Sequence, residues 1–102
     1  MADPVFKPAS PDGINILIAM MREFYAHDGL KFNEAIARRA LQTIIGDETI
    51  GRVFLILISD EVAGYGVLTF GFSLEFHGRD AFVDELYLRE ESRGQGIEWL
   101  RQ

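Results

Sequence analysis

One hundred and two residues, 48% of them hydrophobic and 25% charged, suffice for one small domain with its own core and are too ordinary in balance for a disordered chain. The lack of cysteine excludes disulfides, thiol nucleophiles and zinc–cysteine sites, and two distant histidines, His27 and His77, predict no metal centre. A net charge of −6 argues against nucleic acid as a partner, and with no signal-peptide plan and no spanning apolar run the chain is expected to be cytoplasmic, without a membrane partner.

Val5 to Ala9 is a short candidate strand, and Pro8, lacking a ladder donor, suits a sheet edge. Ser10-Pro11-Asp12 then reads as a helix start, with Ser10 as cap, Pro11 at the first position and Asp12 at the positive end of the dipole. Ile14, Leu17, Ile18, Met21, Phe24 and Tyr25 keep a helical period, and Gly29 is placed to close the helix in the left-handed conformation. A second helix is predicted from Asn33 to Ile45, ended by Gly46, with Ile36, Ala37, Ala40, Leu41, Ile44 and Ile45 as its apolar stripe.

Arg52 to Ile58 is a continuous β-rich run of the kind covered on both faces. A second strand runs from Val62 to about Leu74, and its Gly64, Gly66 and Gly71 call for a bulge or a close backbone approach. His77-Gly78-Arg79-Asp80 reads as a turn into a third run, Ala81 to Leu88. The order is strand, helix, helix, three strands, glycine loop and the start of a helix. It predicts an α/β, more closely an α+β, domain over residues 1–102, with a mainly antiparallel sheet and both helices packed on it.

Two features could carry chemistry. Arg93-Gly94-Gln95-Gly96-Ile97 follows a strand and opens a helical stretch, so its backbone N–H groups and the Arg93 guanidinium could cradle a phosphate; a simple turn is the alternative. Asp84 and Glu85 sit in the preceding strand, where alternation sends neighbours to opposite faces unless a bulge intervenes. One of them is a candidate general base, directly or through a water; an exposed acid or an ion pair with Arg79 or Arg89 is the alternative. Phe24, Tyr25 and Phe32 either line a substrate pocket or pack the core. Tyr65 and Tyr87 could offer a phenol, though buried tyrosines with satisfied hydroxyls are commoner.

Val83-Asp84-Glu85-Leu86-Tyr87-Leu88, an acidic turn and Arg93-Gly94-Gln95-Gly96-Ile97 resemble the acetyl-coenzyme A motif of the GNAT N-acetyltransferases, and the order of elements resembles theirs over essentially the whole chain. The resemblance implies a partial GNAT acyl-CoA N-acyltransferase fold. In it Leu86, Tyr87 and Leu88 would lend backbone groups to the pantetheine arm, and Arg93, Gly94, Gln95, Gly96 and Ile97 would hold the pyrophosphate. Asp84 or Glu85 would deprotonate the acceptor amine, and Phe24, Tyr25 and Phe32 would border the acceptor site. It further implies acetyl-CoA as co-substrate, no metal, and a small-molecule amine or an amino terminus as acceptor, attacking the thioester directly.

This chain has Glu98 where the motif ends in a small residue, and the family continues for several more elements. A chain truncated after its pyrophosphate loop is therefore expected. Glu98 to Gln102 can be encoded so that one added G restores Gly-Val-Ala-Ala-Ala, which would make the tail a frameshift product. The competing expectation is a non-catalytic remnant acting as a homo-oligomeric interaction module, and a third is a binder of another nucleotide. A homodimer is expected in the first two, through an exposed strand edge and apolar sheet surface.

Overall fold

The structure, a computed structural model, describes residues 3–73 and 78–89 of the chain. In order these form β1 (Val5–Pro8), a short 3-10 turn (Pro11–Gly13), α1 (Ile14–His27), α2 (Glu34–Gly46), β2 (Gly51–Ile58), β3 (Glu61–Ser73) and β4 (Gly78–Leu88). The strands make a four-stranded sheet in the order β1-β2-β3-β4, antiparallel at each pairing. Ile14, Leu17, Ile18, Met20 and Met21 of α1 and Ala37 and Leu41 of α2 form one core with Val53, Leu55, Tyr65, Val67 and Tyr87 of the sheet. Both helices thus cover the same sheet face, the α+β arrangement expected of the pattern. The opposite face carries a smaller cluster of Ile56, Ile58, Ala63 and Leu88. No helix among the described residues is long and apolar enough to cross a membrane.

Local chemistry accounts for most boundaries. Ser10 stands in extended conformation without a side-chain cap bond, and its carbonyl accepts from Gly13 N–H at 2.9 Å to close the 3-10 turn. The α-helix therefore opens at Ile14, a turn later than Pro11 suggests. Its C-terminus is closed by a pair of backbone bonds, Leu30 N–H to Tyr25 carbonyl at 2.8 Å and Gly29 N–H to Ala26 carbonyl at 3.2 Å, with Gly29 at φ 70°. Asn33 Oδ1 accepts from Ile36 N–H at 3.1 Å and starts α2. Glu34, in that first turn, binds both Arg22 and Arg38, while Arg38 reaches Asn15 Oδ1 at 3.0 Å and ties the helices together.

The apolar stripe of α2 divides by burial: Ala37 and Leu41 are buried, whereas Ile36 is 61% exposed and Ala40 is also exposed. The turn read at His77–Asp80 is corrected, because Gly78, Arg79 and Asp80 pair with Ser73, Phe72 and Gly71 as part of β4. Cross-strand pairing outweighs the turn propensity of Gly and Asp once a partner strand is present. β1 lies at the sheet edge, as Pro8 suggests.

Candidate active site

The site grows from an irregularity in β4. Val67 pairs with Glu85 but the next residue of β3, Leu68, pairs with Val83, so Asp84 is the extra residue of a β-bulge. A bulge re-aims side chains that alternation would separate. Both Asp84 and Glu85 consequently line one groove between α2 and the sheet.

Glu85 is held from two directions. Tyr25 Oη, near the end of α1, donates to Glu85 Oε2 at 2.6 Å, and Tyr65 Oη, from β3, donates to Oε1 at 2.7 Å. The hydrogen bond to the Glu85 carboxylate, with burial and the charges of Glu85 and Asp84 behind it, pushes the Tyr25 phenol up from 10.0 to about 12. Burial, with the same carboxylate second, pushes Tyr65 up further. Both hydroxyls therefore stay protonated at neutral pH and act as fixed donors. Of the readings open for Glu85 at the sequence level, the ion pair with Arg89 is not formed. Arg89 instead lies 3.4 Å from Glu23, which also accepts from Tyr87 Oη at 3.0 Å.

These shifts carry a pH dependence. A phenol whose folded pKa exceeds its unfolded value contributes stability that is whole below the unfolded pKa and is lost as pH rises through the folded one. Thermal unfolding midpoints are thus expected to fall from about pH 10 upward, towards about 12 for Tyr25 and beyond for Tyr65. Tyr65→Phe should flatten that fall, and an equally steep alkaline slope in the variant would refute the assignment.

The groove beneath the two carboxylates has a volume of about 360 Å³ and is walled by Tyr25, Phe32, Ile36, Ala40 and Leu41, with Lys31 and Asn33 on the link between the helices. Tyr25 and Phe32 meet edge to face at 5.3 Å, and Arg22 stands 5.2 Å above the Phe32 ring. Phe24 does not line the groove. Its ring packs against Tyr87 at 5.5 Å and edge-on to Tyr25 at 5.7 Å, a core position.

Leu86, Tyr87 and Leu88 follow the bulge, facing Gly66, Tyr65 and Gly64. Arg89 N–H bonds Ala63 carbonyl at 2.8 Å. By antiparallel alternation Arg89 and Tyr87 therefore direct their backbone groups to β3, while those of Leu86 and Leu88 turn to the outer side of β4. Arg93, Gly94, Gln95, Gly96 and Ile97 lie outside the described residues, as do His77 and Glu98.

Sequence reasoning missed the two tyrosine donors as partners of Glu85. The available signal was that alternation puts Tyr65 and Val67 on one face of β3, but the register that brings them to Glu85 is not local.

No family model and no curated relative matches the sequence. Solved structures do. An integron cassette protein from the mobile metagenome of Cole Harbour Salt Marsh is 36% identical with a TM-score of 0.85 over 89% of this chain and 60% of its own. A possible acetyltransferase from Clostridium difficile 630 is 17% identical with a TM-score of 0.83 over 96% of this chain and 66% of its own. A predicted acetyltransferase from Clostridium acetobutylicum, solved with acetyl-CoA, is 14% identical with a TM-score of 0.76 over 97% of this chain and 68% of its own. The chain thus spans roughly two thirds or less of the length of the structures it resembles.

Proposed function

We propose that this chain, whose fold is part of the GNAT acetyltransferase fold, serves an acetyl-CoA-dependent N-acetyl transfer to a primary amine. One observation carries the reading: the bulge at Asp84 turns two adjacent carboxylates into a single groove, beside the strand segment Leu86–Leu88. When bound, acetyl-CoA would supply a thioester whose carbonyl carbon bonds to the amine nitrogen as the carbon–sulfur bond breaks and the thiolate takes a proton from solvent.

The protein's own part is to bind, orient and deprotonate. Only an uncharged amine can attack, so an ammonium entering the groove must give up a proton. Glu85 or Asp84 accepts it, directly or through a water, while the amine stays within reach of the cofactor strand. Tyr25 and Tyr65 fix the Glu85 carboxylate, which lines the groove. Leu86 would offer the pantetheine arm its outward backbone on β4, and Arg93, Gly94, Gln95, Gly96 and Ile97 would hold the pyrophosphate. Coenzyme A derivatives and an amine are the partners this implies, in a cytoplasmic protein.

Calorimetric titration with acetyl-CoA tests the reading, paired with a thiol-release assay over a panel of amines. Binding with amine-dependent thiol release is expected. Absence of both would sink it.

A second reading is favoured by the sheet face away from the helices. There Phe6, Phe54, Leu68, Val83 and Leu86 line an apolar hollow of about 340 Å³, with Phe6 47% and Val83 65% exposed. A face of this kind suits a homodimer, either of the enzyme or of a non-catalytic interaction module. Sedimentation showing a strictly monomeric, folded species would count against it. Dimerisation without acetyl-CoA binding would favour the module.

A further inference from the structure

We infer that the amine taken by the groove is a monocation mounted on an apolar chain or ring, in preference to polyhydroxylated amines and polyamines. This rests on reading the groove as the acceptor site and goes beyond it by naming the class of acceptor.

The wall supplied by α2 runs from Ile36 to Ile44, about 12 Å of helix at ~1.5 Å per residue. Along it the side chains are apolar. Ile36 is 61% exposed and Ala40 is exposed although both front the groove, so apolar surface is left in water where a ligand could cover it. Ala37 and Ala40 are also what keeps the groove open, since a larger side chain at either position would fill it. At about 360 Å³ the space suits a small molecule.

The polar groups of the groove sit at its carboxylate and linker side, and part of their hydrogen-bonding capacity is committed. The Tyr25 hydroxyl donates to Glu85, and Asn33 Oδ1 accepts from the α2 backbone. Hydroxyls of a ligand laid against the wall of Ile36, Ala37, Ala40, Leu41 and Ile44 would meet no partner there, which is unfavourable. Asp84 and Glu85 supply attraction for one ammonium, whereas Lys31 on the same groove repels a second cation. One charge and an apolar body match this lining.

Hexylamine and phenethylamine, titrated calorimetrically without acetyl-CoA, are expected to bind roughly tenfold or more tightly than glucosamine or spermidine. Ala40→Leu should abolish that binding by filling the groove, while unfolding midpoints stay unchanged because the site is exposed and Leu suits a helix. Ile36→Thr, at a still more exposed position, should weaken the apolar amines and leave glucosamine unaffected. Equal or tighter binding of glucosamine or spermidine would overturn the inference, as would no binding of any amine or full retention of hexylamine binding in Ala40→Leu.

The outcomes separate this inference from the enzymatic reading. Hexylamine binding without acetyl-CoA binding would leave the groove's preference standing and remove the transferase. Thiol release driven by glucosamine in preference to hexylamine would do the reverse.

Discussion

Replacing Glu85 by alanine is expected to destabilise the domain by about 2–5 kcal/mol and, on the proposed acetyl-transfer reading with Glu85 as the base, to abolish amine acetylation. The reason lies in what the carboxylate leaves behind. Tyr65 is fully buried and Tyr25 half-buried, and both donate their hydroxyl protons to Glu85. Removing a buried partner costs about 1–3 kcal/mol for each group left unsatisfied. Two such groups take a large share of the ~5–15 kcal/mol that holds a domain together. Glu85→Gln separates structure from chemistry. Its carbonyl oxygen can still accept from one tyrosine and its shape is preserved, so a smaller loss of about 1–2 kcal/mol is expected. Its amide cannot take a proton from an ammonium, however, and thiol release should drop by about 10²–10⁴-fold if Glu85 is the base. Near-normal turnover in folded Glu85→Gln would shift that role to Asp84. Denaturant unfolding and the thiol assay on the same preparations decide it.

Gly64→Ala should cost about 1–3 kcal/mol or more and, on the proposed reading, weaken acetyl-CoA binding in the same variant. A Cβ on Gly64 would stand 2.0 Å from the Tyr87 carbonyl oxygen and 3.1 Å from Leu88 Cα. Both contacts are with the backbone of the neighbouring strand, so no rotamer change relieves them. β3 and β4 must part where Leu86, Tyr87 and Leu88 are held. Gly66→Ala is the matched control two residues on. There the added carbon meets the Leu86 side chain at 3.5 Å, an ordinary contact, and little change in stability is expected. Urea unfolding of the pair compares them directly, and equal stability of the two variants would show that the close approach at Gly64 is not a constraint.

The glycines of β3 show how far local reading reaches. A strand rich in glycine announces a close approach or a bulge, and the sequence identifies the stretch correctly. It does not say which glycine meets which carbonyl, because that depends on the register against β4. Turn propensity misleads in the same region, where Gly78, Arg79 and Asp80 look like a turn and are a paired strand. On α2 the helical period correctly groups Ile36 and Ala40 with Leu41. Periodicity marks a face, however, and not whether the sheet reaches across all of it.

By itself the sequence determined the elements and their kind. The helical spacing of α1, the Gly29 closure, the start of α2 at Asn33, the edge position of β1 and the antiparallel run of strands all follow from contacts within a few residues, where side-chain type and backbone preference act directly. The carboxylates at Asp84 and Glu85 were legible as candidates for the same reason. Only the tertiary structure decided that they share a groove, that Tyr25 and Tyr65 hold Glu85 from 60 and 20 residues away, and that Arg89 turns to Glu23 across 66 residues instead. Those outcomes hang on one unpaired residue in the β3–β4 register. A shift by a single position turns a side chain to the other face of a sheet, and no local preference in either strand fixes where that shift falls.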